Sequence, residues 1–159
     1  MAERLDAYLV GLELLARREL SEAQLRSRLA RQQFSDGDID TAVERLCRER
    51  ALDDRRTALA RARSEAVVRR RGRIRVVRQI EALGIDSDTA RSAVDEVFSE
   101  VDETKLLEQA LDRRLKSGLT LEEPAAVRRA YRYLIGQGFD PAHVAMLLRR
   151  RSHGVSLEN

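Results

Sequence analysis

The sequence predicts an all-α fold of three tandem three-helix, helix-turn-helix-like units. The first observation behind this is a repeat. Phe34, Ile85 and Phe139 stand 51 and 54 residues apart and share the same apolar surroundings. Leu25 and Leu29, Val76 and Ile80, and Ala130 and Leu134 lie nine and five residues before them. Ile39 and Val43, Ala90 and Val94, and Val144 and Leu148 lie five and nine residues after. A period of this size with helical spacing on both sides means one supersecondary unit used three times. The second observation is composition: 36% charged, 4% aromatic and two prolines, which suits helices with charged outer faces. The third is that no segment shows the alternation of a strand.

The units are expected over residues 1–52, 53–101 and 102–151, with 152–159 as a flexible tail. The first helix is expected over about Glu3 to Glu19, with Leu5, Tyr8, Leu9, Leu12 and Leu15 as its apolar stripe. Ser21 and Gln24 form a capping-box pattern for the second helix, which turns Leu25, Leu29 and Ala30 inward. Ser35 to Asp38 reads as a turn. The third helix, about Asp38 to Arg50, buries Ile39, Ala42, Val43 and Leu46, and Cys47 beside them is expected to be packed or half-buried.

In the second unit, Asp53 or Asp54 caps a helix over about Arg55 to Arg71, with Leu59, Ala62, Ala66 and Val67 inward. Gly72 breaks that helix. The next carries Val76, Val77, Ile80 and Leu83 and stops at Gly84. A third helix comes after Ile85-Asp86-Ser87-Asp88 and holds Ala90, Ala93, Val94, Val97 and Phe98.

In the third unit, Asp102 caps a helix holding Leu106, Leu107, Ala110, Leu111 and Leu115, which ends at Gly118. Pro124 opens the next, with Val127, Ala130, Tyr131, Leu134 and Ile135, closing at Gly136 to Gly138. Asp140 as cap and Pro141 at the first helical position open the last helix, whose core face is Val144, Leu147 and Leu148. About 50 residues bury too little surface to stand alone, so neighbouring units should lean on each other.

The net charge of +3 is unevenly spread. Residues 1–54 sum to −3, residues 55–78 to +9 from ten arginines against Glu65 alone, residues 79–123 to −7, and residues 124–159 to +4. Such a dipolar chain steers onto a polyanion or a patterned protein surface. The candidate partner-binding residues are Arg56, Arg63, Arg69, Arg70, Arg71, Arg73, Arg75 and Arg78 in the basic block. Arg128, Arg129, Arg132, Arg149 and Arg150 add to them in the third unit. Arg56, Arg63 and Arg70 recur every seven residues and so should line up along one helix, beside its apolar stripe. Guanidinium forks suit phosphate and carboxylate alike. Pairing of the block with the acidic segment C-terminal to it is the competing structural explanation.

Other chemistry finds little support. Asp36, Asp38 and Asp40 resemble the start of a calcium loop, but Thr41 and Cys47 stand where it needs Gly and Glu. Cys47 is the single cysteine, and His143 and His153 are the only histidines, without partners at ligand spacing. No nucleophile-elbow or phosphate-binding glycine pattern is present. No enzyme, cofactor or metal is therefore expected. The helix-turn-helix proportions suggest DNA reading, but the third helices begin Asp38-Ile39-Asp40, Asp88-Thr89-Ala90 and Asp140-Pro141-Ala142. Acid at that end suits neither phosphates nor base reading. The chain has no basic-then-apolar leader and no apolar run of about 18 residues, so a cytoplasmic protein without membrane contact is expected.

Several elements, in order, resemble the RecX family of bacterial recombination regulators. They are Leu14-Leu15-Ala16-Arg17-Arg18-Glu19 followed by Ser21, Leu25 and Leu29; Leu52-Asp53-Asp54; Gly72 with Arg75-Val76; Leu83-Gly84-Ile85; and Gly138-Phe139-Asp140 with Val144. The resemblance covers about residues 5–151. It implies an elongated, curved array that lies in the helical groove of RecA filaments. It also implies that the protein inhibits recombinase, ATPase and coprotease activities in DNA recombination, repair and SOS control. A monomer is expected, although the sequence leaves dimerisation open. Binding to single- or double-stranded DNA without sequence preference is the alternative, and a helical adaptor for another partner is a third reading.

Overall fold

The computed structural model describes residues 6–154, which are helical throughout apart from short connections. The first triplet is α1 (Ala7–Arg17), α2 (Glu22–Arg31) and α3 (Asp36–Arg48). The second is α4 (Asp54–Arg63), continued by a π-turn over Ser64–Val68, then α5 (Arg73–Glu81) and α6 (Ser87–Phe98). The third is α7 (Glu103–Lys116), α8 (Pro124–Gly136) and α9 (Pro141–Gly154). Every flanking position of the threefold apolar pattern is buried, as are Ile85 and Phe139, while Phe34 is half-buried.

Local chemistry sets the helix starts. Ser21 and Gln24 form the reciprocal capping box. Asp53 caps α4, Asp102 caps α7, and Asp140 accepts from the N–H groups of Ala142 and His143. Helices α3 and α6 begin earlier than expected. Ser35 and Asp86 are their caps, so the residues read as turns already form the first helical turn. Likewise α9 continues to Gly154, past Arg151.

Some faces differ from the sequence expectation. In α1 the buried residues are Ala7, Val10 and Gly11, while Leu9 is exposed and Leu5 lies outside the described residues. Gly11 explains the rotation. A Cβ there would stand 2.8 Å from Leu46 Cδ1, so its bare backbone admits α3 closely and turns the Leu stripe to the flank. Val67 is exposed because of the π-turn, closed by Arg69 N–H donating to Ser64 O at 3.1 Å. The wider turn adds a residue and rotates the chain beyond it. Ala30, Cys47 and Tyr131 are also exposed rather than turned inward. Each sits one position past a buried residue (Leu29, Leu46, Ala130), where a helix turns about 100° away from the core.

The buried apolar residues form two clusters. One, including Leu25, Leu29, Val43 and Leu46, belongs to the first triplet. The other runs continuously through the second and third triplets, from Ala58 and Val76 to Leu134 and Leu148. The junctions differ accordingly. Between the first and second triplets the contacts are largely polar. The Glu22 N–H donates to Asp54 Oδ1 at 2.8 Å, buried Ser21 donates to Leu83 O, and Thr57 donates to Leu20 O at 3.4 Å. Of the two candidate acids, Asp53 thus caps its own helix and Asp54 caps α2 of the preceding triplet.

Burial pushes the Asp54 carboxyl above its ordinary value, against the opposing pull of the Glu22 N–H. The unfolded chain releases that proton first, so this group lowers stability as pH rises from the ordinary Asp value through the raised one. Asp54→Asn keeps an acceptor for Glu22 and removes the titration. Urea midpoints across an acidic pH series should show a flatter profile for the variant in that window.

Between the second and third triplets the backbones touch. The Gly72 N–H donates to Gln137 O at 2.9 Å, Ile74 N–H donates to Gly138 O at 3.2 Å, and Arg75 Nη1 donates to Gly136 O at 2.8 Å. A Cβ on Gly72 would stand 2.3 Å from Gly138 O, and one on Gly138 would stand 2.3 Å from Arg75 N. Gly138 also holds φ +91°, which disfavours any side chain.

Candidate partner-binding surface

The arginines named from sequence divide into two sets. One set is engaged within the protein. Arg56 pairs with Glu19 at 2.9 Å and donates to Arg50 O and Ala51 O, closing the end of α3 onto α4. The hydrogen bond to Glu19 holds the Arg56 guanidinium more firmly protonated. Arg69 and Arg71 converge with Arg61 on Glu65, which is wholly buried. Glu65 Oε1 lies 3.2 Å from Arg61 Nε and 3.4 Å from Arg69 Nη1, and Arg71 Nη1 bonds Oε2. Arg73 pairs with Asp95 and Glu103 and lies 4.9 Å over the Phe98 ring. Arg75 holds Gly136 O, and Arg150 pairs with Glu108. Part of the +9 block is thus neutralised by Glu65 and by the acidic segment C-terminal to the block.

The other set is Arg63, Arg70, Arg78, Arg128, Arg129, Arg132 and Arg149. None of them joins an ion pair found among the described residues. All are exposed except half-buried Arg70, whose φ is +53°. The expected line of Arg56, Arg63 and Arg70 does not form, because the π-turn breaks the helical register between the last two and Arg70 lies beyond the helix end. Arg63 flanks a depression with Val67, Val68, Val97 and Val101. Arg128, Arg132 and Arg149 line a groove between α8 and α9.

Two features went unread in the sequence. Glu65 was legible: it stands four residues after Arg61 and four before Arg69, on one helical face. The α8–α9 groove was not, because Tyr131 falls one step past the buried Ala130 and looks like core. Among the described residues no group of three or more His, Cys, Asp or Glu side chains is placed to hold a metal ion. No helix there is long and apolar enough to cross a membrane.

Comparison with known proteins agrees with this architecture. Residues 7–46 match the family model described as RecX, first three-helix domain. The regulatory protein RecX of Syntrophotalea carbinolica is 32% identical over 143 residues, covering 89% of this chain and 94% of the relative. That of Halorhodospira halophila is 32% identical over 131 residues, covering 81% and 78%. The crystal structure of RecX from Lactobacillus salivarius superposes with a TM-score of 0.74 at 14% identity, covering 91% of this chain and 93% of that one. A second RecX crystal structure gives 0.77 at 16% identity, covering 88% and 70%. At such identities the structures speak for the fold, three-helix units in tandem. The sequence relatives speak for descent, and the chain belongs to the RecX family of regulatory proteins.

Proposed function

We propose that this protein binds RecA filaments and lowers their recombinase, ATPase and coprotease activities, acting in DNA recombination, repair and SOS control. The observation that carries the reading is the 32% identity to a regulatory protein RecX across 94% of that relative. The architecture supports it physically. Tandem helical units present an extended surface, which suits a helical polymer better than a compact target. The action is by binding, without chemistry, in the cytoplasm and as a monomer. The exposed arginines outside the ion pairs are the contacts assigned to the filament.

The test is ATP hydrolysis by the cognate RecA on saturating single-stranded DNA, with this protein titrated in. Inhibition at substoichiometric protein is expected. Inhibition relieved by added DNA would replace the reading with DNA sequestration. That second reading draws on the same seven exposed or half-buried arginines. It requires binding to naked DNA that falls steeply with salt, as counterion release demands.

A further inference from the structure

The groove between α8 and α9 has a volume of about 470 Å³. Val127, Tyr131, Ala145 and Leu148 line it, and Arg128, Arg132 and Arg149 stand among them. Residues 128, 131 and 132 lie on one face of α8, and 145, 148, 149 and 152 on one face of α9, so two helical faces converge on it. Tyr131 is 37% exposed, while Ala130 and Leu134 of the same helix are core.

The arginines here differ from those beside them in sequence. Arg150 and Arg151 turn to α7 and pair with Glu108 and Asp112. Arg149 turns the other way, and its Nε donates only to Ala145 O of its own helix, at 3.3 Å. Arg128 and Arg132 join no ion pair among the described residues. No acidic residue lines the groove. An apolar floor within a positive rim lacks its complement: an apolar anchor flanked by carboxylates.

We infer that this groove docks an acidic amphipathic helix of a protein partner. One apolar side chain of the helix seats on Tyr131, beside half-buried Val127 and Ala145, and its carboxylates meet Arg128, Arg132 and Arg149. A nucleic-acid backbone would satisfy the guanidiniums but leave the aliphatic floor in water. A helix laid in the groove covers both, with forked guanidinium–carboxylate bonds fixing its register. The inference rests on the filament-binding reading, and it places the acidic segment on the protein part of the filament.

The test uses cognate RecA filaments on single-stranded DNA and two variants of the full chain. R128E/R132E should lower filament affinity at least about tenfold, as reversal of paired charges does. Its helical content and melting temperature should stay unchanged. Tyr131→p-benzoylphenylalanine, irradiated on the filament, should cross-link to a RecA peptide with carboxylates around an apolar residue. Unchanged filament affinity of R128E/R132E overturns the inference, as does an adduct to DNA or to a peptide lacking acids. In those cases the wild-type protein still binds filaments and the functional reading stands. Failure of the wild-type protein itself to bind filaments removes the functional reading and this inference together.

Discussion

Gly72→Ala is expected to destabilise the protein by about 3 kcal/mol, within the range for forced overpacking and near the top for a single methyl group. The added Cβ would lie 2.3 Å from Gly138 O, 2.4 Å from Gly138 C and 2.5 Å from Phe139 N. All three are backbone atoms, so no side chain can swing aside. The α5 start and the α8–α9 turn must separate, breaking the Gly72 to Gln137 and Ile74 to Gly138 hydrogen bonds. Phe139, buried beside the seam, loses packing with them. Gly138→Ala meets Arg75 N at 2.3 Å from the other side and adds left-handed strain. Urea denaturation of both variants and of the double variant checks this. The double variant should fall well short of the summed losses, because either change already opens the same seam.

Glu65→Ala is the second large effect, again expected near ~3 kcal/mol, because it removes the centre of a buried ion cluster and strands its cations. Arg71 suffers most, since its side chain is 18% exposed, whereas Arg69 at 52% relaxes into water. Arg71 is also held through its backbone, its N–H donating to Glu65 O at 3.0 Å, so the tight stop after the π-turn depends on the same spot. Chemical denaturation measures the loss. DNA binding gives an independent readout: freed Arg69 and Arg71 should strengthen binding to single-stranded DNA and steepen its salt dependence. Glu65→Gln should lie between the two proteins in stability, because it keeps acceptor geometry without the charge.

Much of the fold was legible because it depends on period and on caps. The offsets around Phe34, Ile85 and Phe139 marked the buried residues of three units, since helical spacing fixes which side chains share a face. Ser21, Asp102 and Asp140 marked helix starts through chemistry confined to one turn. What escaped depends on contacts distant in sequence. Nothing near Gly72 indicates that Gly138 will face it. The rotation of α1 comes from the approach of Leu46 to Gly11, 35 positions away. The candidate surface was legible as charge but not as partition. Arg71 and Arg73 look the same in sequence as Arg70 and Arg78, and only folding shows which have carboxylates in reach. The π-turn had no sequence signal beyond an ordinary helix, yet it decides where Val67, Val68 and Arg70 end up.

The division of the apolar core has a consequence for how the molecule comes apart. Residues from α4 to α9 share one cluster, so loosening any of those helices exposes the whole. The first triplet keeps its own cluster and is tied on mainly by hydrogen bonds, each of roughly 1 kcal/mol net. Detaching it wets little oil. Amide protons of α1 to α3 should therefore trade with solvent as one cooperative set and those of α4 to α9 as another, making this chain of repeats a pair of foldons.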